Sequence, residues 1–236
     1  MGRPLLSLQA IGLRYGQIQA LQDITLDIMA GERIAIVGAN GAGKSSLMDV
    51  MSGFVLPSAG ELYFDGQSIT HYSLQKRVAL GVMRSFQRSR LFGQMTVLDH
   101  LRCAASVGHL SLWQRYAFWR DMKGDAASEV RLQEIAESFG LSLHASVTEL
   151  NYAHQRLLEV GMMLAGDAKV LLLDEPTAGL SEIEAAVFLK QLEMYAKDKT
   201  VVFIEHDMKV VRALADRVLV LEQGKVLECD AWENLQ

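Results

Sequence analysis

The sequence has little proline, little cysteine and no surplus of positive charge. Its 236 residues include 3 prolines and 2 cysteines, and the formal net charge is −5. Cys103 and Cys229 lie far apart and match no metal-binding or redox spacing, so we expect buried or idle thiols, which fits a reducing cytoplasm. Without a basic surplus the charge gives no sign of a nucleic-acid partner, and we expect none.

Long hydrophobic runs are also missing. The longest apolar runs, Val160–Ala165 and Val170–Leu173, fall well short of the ~20 residues that span a bilayer. The segment Met1–Leu8 is too short for a signal peptide, and Arg3 and Pro4 interrupt it. Half of the residues are nevertheless apolar, which is typical of a globular protein with a substantial core. If this protein acts at a membrane, we expect a partner to supply the membrane span.

Short apolar strands alternate with helices in the first and last thirds of the chain. The pattern predicts strands at Leu5–Ile11, Ala20–Ile28, Arg33–Val37, Leu62–Phe64, Lys169–Leu173, Thr200–Ile204, Arg217–Leu221 and Lys225–Glu228, and helices from about Lys44, at Ser181–Ala196 and at Asp207–Leu214. This alternation indicates an α/β fold with a parallel sheet that is covered on both faces.

The middle of the chain has a helical pattern instead. Thr96–Leu141 contains few glycines and no proline, and Leu112–Arg120 holds two of the three tryptophans. The favoured interpretation of Leu112–Arg120 is an amphipathic helix with a buried aromatic face. The alternative is a segment that docks on a membrane surface or on a partner protein.

A glycine-rich loop follows the strand that ends at Val37. Its sequence, Gly38-Ala-Asn-Gly-Ala-Gly-Lys44-Ser45, matches the phosphate-loop pattern, in which backbone amides and a helix N-terminus face phosphate oxygens. In this pattern the lysine reaches the β- and γ-phosphates and the serine hydroxyl ligates Mg²⁺. A glycine turn before a helix is the alternative. We predict nucleotide contacts at Gly38, Ala39, Asn40, Gly41, Ala42, Gly43, Lys44, Ser45 and Ser46.

Polar residues follow two of the later apolar strands. Asp174 and Glu175 come at the end of one strand, and His206 follows another. The carboxyl ends of parallel strands are where ligands collect in open sheets. We therefore expect Asp174 to hold Mg²⁺, Glu175 to polarise the attacking water, and His206 to contact the γ-phosphate. Taken alone, Asp174 and Glu175 would be better explained as an acidic turn after a core strand, and His206 as a residue at the start of a helix.

Together these motifs resemble the nucleotide-binding subunit of an ATP-binding cassette (ABC) transporter over essentially the whole chain. The resemblance implies that Tyr15 stacks on adenine and that Gln87, in Arg84-Ser-Phe-Gln-Arg, senses the γ-phosphate and Mg²⁺. It also identifies Leu150-Asn-Tyr-Ala-His-Gln-Arg156 as the family's signature. There Asn151 and Ala153 replace the serine and second glycine that contact the partner subunit's ATP.

The resemblance implies a phosphate-loop ATPase domain with an antiparallel N-terminal sheet. The nucleotide-binding core would comprise residues 1–95 and 167–236, and the helical subdomain residues 96–166. ATP and Mg²⁺ would be the cofactors, and two such subunits, identical or different, would close ATP between them. The other partners would be transmembrane permease subunits at the cytoplasmic face of the inner membrane and, indirectly, an extracytoplasmic solute-binding protein.

A finer resemblance concerns the transported solute. The stretch from Arg84 to Leu101 and the residues Tyr152, Gln155 and Arg156 are similar to importers of branched-chain amino acids and related amides. The altered signature leaves a second hypothesis open. In that alternative the chain is a regulatory or soluble cassette ATPase that takes no part in transport. If the altered signature is slow, a heterodimer with a regular partner would have two unequal ATP sites.

Overall fold

The computed structural model describes residues 2–85, 91–106 and 126–231. The strands are β1 (Leu6–Tyr15), β2 (Ile18–Ile28), β3 (Arg33–Val37), β4 (Ala59–Phe64), β5 (Gln67–Ser68), β6 (Val82–Arg84), β7 (Val170–Asp174), β8 (Thr200–Ile204), β9 (Arg217–Glu222) and β10 (Lys225–Ala231). The helices are α1 (Lys44–Ser52), α2 (Leu74–Leu80), α3 (Val97–Ser106), α4 (Ala126–Ser138), α5 (Tyr152–Ala165), α6 (Glu182–Tyr195) and α7 (Met208–Leu214). Gln87 and Leu112–Arg120 lie outside the described residues.

The central sheet has six strands in the order β10-β9-β3-β8-β7-β6. All neighbouring pairs are parallel except β10 and β9, which form an antiparallel hairpin at the edge. Every residue of β7 and β8 is buried, as expected for strands with both faces covered. The α/β fold with a parallel sheet is therefore confirmed.

A second sheet is antiparallel, with the strand order β2-β1-β4-β5. Strand β1 extends four residues beyond the predicted end at Ile11. Register shifts interrupt its pairing with β2, and Ala10 and Asp23 adopt positive φ angles of 52° and 51°. Such bulges bend a strand and disturb the alternation of apolar and polar residues, which explains why the sequence pattern ended the strand early.

Two hydrophobic cores lie on opposite faces of the central sheet. Along β7, Val170 and Leu172 join the core shared with β1, β2, β4 and α1, whereas Leu171 and Leu173 join the core shared with helices α3 to α6. This division follows from the two-residue repeat of a strand. Helices α3, α4 and α5 thus share their core with the sheet. The proposed boundaries of the helical subdomain, residues 96–166, stay a prediction.

One buried cation closes the end of α1. Arg77 is 0% exposed and donates hydrogen bonds to the carbonyl oxygens of Val50, Met51, Thr70 and Tyr72. The last carbonyls of a helix lack hydrogen-bond donors within the helix, and the guanidinium provides these donors for Val50 and Met51. Burial lowers the pKa of Arg77 to about 10, which leaves the side chain charged at neutral pH.

We predict that Arg77→Met lowers the free energy of unfolding by about 3 kcal/mol, because several buried carbonyls lose a charged donor. Chemical denaturation followed by circular dichroism measures the change. Lys76→Met, at an exposed position of the same helix, is the matched control and should change stability by less than about 0.5 kcal/mol. Equal stability of the two variants would contradict the assignment.

Candidate nucleotide site

The phosphate loop connects β3 to α1, and its path requires glycine at two points. Gly38 has a φ of 151°, and a Cβ there would lie 2.2 Å from the carbonyl oxygen of Leu221. Gly43 has a φ of 107°, and its Cβ would lie 2.8 Å from the carbonyl oxygen of Ala20. Only glycine fits such close approaches of backbone to backbone. These two glycines are therefore fixed by packing as well as by the space that a phosphate needs.

Lys44 lies at the start of α1 with its ammonium group turned into the loop. Its Nζ donates hydrogen bonds to the carbonyl oxygens of Gly38 at 2.7 Å and Ala39 at 2.9 Å. Burial lowers the pKa of Lys44, and the nearby charges of Glu175 and Asp174 oppose that effect. The lysine is thus held by the loop, and the charges of the two carboxylates act on it.

The remaining loop residues differ in accessibility. Ala42 is buried and Ser46 is half-buried, whereas the others at the rim of the loop are exposed, namely Ala39, Asn40, Gly41 and Ser45. Ser45 is therefore accessible at the N-terminus of α1, where a bound anion is stabilised by the helix dipole.

Asp174 is the last residue of β7, and its buried side chain lies beside Arg84 and Ser85. Its Oδ2 accepts a hydrogen bond from Arg84 at 3.0 Å, and its backbone N–H donates to the Ser85 hydroxyl at 3.3 Å. Its Oδ1 is buried and has no hydrogen-bond partner among the described residues. An orphaned carboxylate oxygen costs free energy unless a ligand satisfies it.

A divalent cation fits this arrangement. Mg²⁺ sites commonly use one or two protein oxygens together with substrate phosphates. Within the described ranges, no group of three or more His, Cys, Asp or Glu side chains could hold a metal by itself. Asp174 and Ser45 supply the kind of partial ligand set that a nucleotide-bound Mg²⁺ needs.

Glu175 and His206 are brought together from the ends of β7 and β8. His206 Nε2 lies 3.1 Å from Glu175 Oε1. Glu175 has a φ of 48°, in the left-handed region that costs a non-glycine residue free energy and persists where surrounding structure enforces it. Its backbone N–H donates to the Ile204 carbonyl at 3.1 Å, which ties this strained residue to β8.

Two positioning residues were missed by the sequence analysis. The buried carboxylate of Glu205 accepts hydrogen bonds from the Thr177 hydroxyl at 2.6 Å and from the Thr177 backbone N–H at 3.0 Å. It therefore joins the loop after Glu175 to the segment that carries His206. Arg84 joins Asp174 to Asp49 on α1. Glu205 and Arg84 lie close to recognised motif residues in the sequence, but the sequence does not show which residues they contact.

Tyr15 ends β1 and pairs with Ile18 across the hairpin. Its side chain is 45% exposed, so it does not belong to the core. Strand β2 continues from Ile18 to Ala20, whose carbonyl oxygen faces Gly43 of the phosphate loop. Tyr15 is thus an accessible aromatic ring on the hairpin that borders the loop.

The altered signature forms a regular start of α5. Asn151 is the N-cap, and its side chain accepts a hydrogen bond from the His154 backbone N–H at 2.8 Å. Ala153 lies in the first turn of this helix without a positive φ, so replacing glycine there costs no backbone strain. Among the described residues, no hydrogen bond joins Asn151 or Ala153 to the phosphate loop of the same chain.

The signature instead faces the loop that follows the carboxylates. A Cβ on Gly179 would lie 3.1 Å from the Tyr152 ring, which shows how closely the two segments pack. Ser181 ends this loop as the N-cap of α6 and forms a capping box with Glu184.

A phosphate loop at the end of β3, with carboxylates at the ends of neighbouring parallel strands, defines a nucleoside triphosphate-binding α/β protein. The family model described as "ABC transporter" matches residues 21–178. The chain belongs to the ABC transporter family. Within that family it is an ATP-binding subunit and an ATPase.

Two curated relatives resemble the chain over its full length. The high-affinity branched-chain amino acid transport ATP-binding protein LivG of Escherichia coli (strain K12) is 33% identical over 248 residues, which cover 100% of this chain and 95% of LivG. The corresponding protein BraF of Pseudomonas aeruginosa is 32% identical over 251 residues, which again cover 100% and 95%. The resemblance to this subgroup is therefore confirmed.

Solved structures show the same fold. The ADP conformation of MJ1267, an ATP-binding cassette of an ABC transporter, has a TM-score of 0.86 against this chain at 26% identity, covering 98% of this chain and 92% of that one. The dimeric cassette MJ0796 has a TM-score of 0.79 at 21% identity, covering 96% and 98%. In the described part of the chain, no helix is long and apolar enough to cross a membrane.

We predict that Glu175→Gln retains ATP binding but lowers the turnover number by about 10²-fold or more, because an amide cannot act as the base. It should also trap an ATP-bound dimer. Phosphate release and size-exclusion chromatography with light scattering measure the two effects. Lys44→Ala is the comparison variant and should lose nucleotide binding as well. Turnover of Glu175→Gln close to wild type would contradict the assigned base.

Proposed function

We propose that this chain hydrolyses ATP to drive import of branched-chain amino acids or related amides through separate permease subunits. The observation that carries the proposal is the full-length similarity to LivG and BraF. By comparison, the D-allose import ATP-binding protein AlsA of Escherichia coli (strain K12) is 29% identical over 225 residues, which cover 43% of that longer protein. The chain would act at the cytoplasmic face of the inner membrane, with an extracytoplasmic solute-binding protein on the other side.

The proposed reaction is in-line attack of water on the γ-phosphate of ATP. The phosphate-loop amides and Lys44 bind the phosphates, and Tyr15 stacks on adenine. Glu175 orients and polarises the attacking water, and His206 stabilises the γ-phosphate from the end of β8. The hydrogen bond between Glu175 and His206, at 3.1 Å, supports this pairing because each side chain holds the other in place. Catalysis rests on positioning and charge stabilisation.

Mg²⁺, when bound with ATP, neutralises charge on the β- and γ-phosphates. Asp174, Ser45 and Gln87 would hold it. The buried, unpartnered Oδ1 of Asp174 supports this role for the aspartate.

In the proposed dimer each ATP lies between one subunit's phosphate loop and the other subunit's signature. Asn151 uses its side-chain oxygen as the helix cap, which keeps its Nδ2 as a donor for the partner's γ-phosphate. Ala153 contributes its backbone without strain. These features favour a signature that takes part in ATP hydrolysis over the alternative of a regulatory cassette ATPase. A heterodimer with a regular partner would still have unequal sites, since an amide replaces the serine hydroxyl in one of them.

Uptake in proteoliposomes tests the proposed substrate class. The chain is reconstituted with the permease subunits and the solute-binding protein that accompany it, and ATP is enclosed on its side of the membrane. We expect accumulation of radiolabelled leucine and competition by valine and isoleucine. Ribose is the control solute and should not accumulate. Uptake of ribose without leucine would overturn the substrate class, and ATP hydrolysis that never responds to the permease would favour the regulatory alternative.

The segment Leu91–Met95 is the proposed docking site for the permease. Phe92 is 67% exposed, yet the backbone around it is firmly held. The Phe92 N–H donates to His100 Nε2 at 2.9 Å, and the Ser146 hydroxyl donates to the Gly93 carbonyl at 3.0 Å. An exposed aromatic ring on an ordered loop is typical of an interface anchor.

We predict that Phe92→Cys, in a Cys103→Ser, Cys229→Ser background, forms a bismaleimide crosslink to a cysteine introduced into a permease subunit of the assembled complex. Leu227→Cys on β10 is the control, because Leu227 is also apolar and is 61% exposed. Denaturing gel electrophoresis of the purified complex measures both. If crosslinks form only from cysteines placed within Leu112–Arg120, the permease binds that segment instead. That result would support the interpretation of Leu112–Arg120 as a docking segment.

A further inference from the structure

Arg84 places one guanidinium between two carboxylates from different elements. At the end of β6, its Nη2 lies 3.0 Å from Asp174 Oδ2, and its Nη1 donates to Asp49 Oδ1 on α1. The side chains of Arg84 and Asp174 are only 7% and 6% exposed. A buried ion cluster of this kind is costly to desolvate and is retained where it fixes geometry.

Both carboxylates connect Arg84 to the proposed cation ligands. Asp174 is itself one of them. Asp49 lies one helical turn after Ser45 on α1, and residues four apart share a helix face. The guanidinium therefore ties α1, one turn after Ser45, to the end of β7, and so restricts the position of Ser45 relative to Asp174.

The bond from Arg84 also sets the orientation of the Asp174 carboxylate. With Oδ2 bound to the guanidinium, the group cannot rotate freely, and Oδ1 is the oxygen that has no hydrogen-bond partner among the described residues. The cluster contains two carboxylates and one guanidinium, so it keeps a net negative charge. That charge still favours a divalent cation.

We propose that Arg84 is a positioning residue for the nucleotide-bound Mg²⁺. It holds Asp174 with Oδ1 available to the cation, and through Asp49 it keeps α1 and Ser45 at the matching distance. This inference rests on the proposed function, since the cation is expected together with ATP. Without the guanidinium, the buried carboxylate of Asp174 and the half-buried carboxylate of Asp49 repel each other, and Asp174 loses its fixed orientation.

Magnesium dependence of nucleotide binding tests the role. A fluorescent, non-hydrolysable ATP analogue is titrated with the full-length protein in EDTA and at increasing Mg²⁺, and thermal unfolding is followed in parallel. Removing the partner of a ligating carboxylate typically weakens metal affinity 10- to 100-fold. For Arg84→Met we therefore expect the half-saturating Mg²⁺ concentration to rise about 10-fold or more, with binding in EDTA unchanged.

Three further variants sharpen the test. Arg84→Lys keeps the charge but cannot reach both carboxylates in the same way, so we expect a smaller shift. Asp49→Asn weakens the link to α1 and should also shift the Mg²⁺ dependence. Arg102→Met removes a different two-bond ion pair, with Glu129 on α4, and should leave the Mg²⁺ dependence unchanged.

An unchanged half-saturating Mg²⁺ concentration in folded Arg84→Met would overturn the inference. So would an equal loss of nucleotide binding with and without Mg²⁺, because that result indicates a general structural role. If Arg84→Met fails to fold, the test rests on Arg84→Lys and Asp49→Asn. A wild-type Mg²⁺ dependence of nucleotide binding in both of these variants would then overturn the inference. A wild-type protein that binds no ATP analogue would instead overturn the proposed function.

Discussion

The parallel pairing of β3, β8 and β7 is the constraint on which the whole site depends. In the register of these strands, Ile36 pairs with Ile204, and Ile204 pairs with Asp174. The chain therefore leaves all three strands at one edge of the sheet, where β3 leads into the phosphate loop and β8 leads to His206. Backbone hydrogen bonds, rather than contacts between the functional side chains, bring these segments together. The side-chain bonds then refine positions that the sheet has already set.

The site could be predicted from sequence to the extent that it lies in short contiguous motifs. The phosphate loop, Asp174-Glu175 and His206 each directly follow an apolar strand, and a parallel sheet necessarily gathers such strand ends. The larger fold was predictable for the same reason, since buried strands of five residues between helices have few alternative arrangements. Bulged β1 and the short strand β6 were less predictable, because bulges break the two-residue period and three residues carry almost no pattern.

Contacts between distant positions could not be predicted from one sequence. Arg84 is separated from Asp174 by 90 positions and from Asp49 by 35, and a lone arginine beside a recognised motif has no pattern that names its partners. The same holds for Glu205 and Thr177. These residues do not form the motif but fix the orientation of motif residues. Their roles follow from burial and hydrogen-bond geometry, which only the folded chain provides.

At the signature positions that depart from the family's pattern, the sequence suggested a larger change in local structure than the folded chain has. Ala153 in place of glycine raised the question of backbone strain, yet the residue lies in an ordinary first helical turn. Asn151 serves its own helix as a cap with one atom of its amide and keeps the other for a ligand. Both substitutions therefore keep the regular backbone at the start of α5. In the proposed dimer, Asn151 would offer an amide N–H to the γ-phosphate of the partner's ATP where the family's serine offers a hydroxyl.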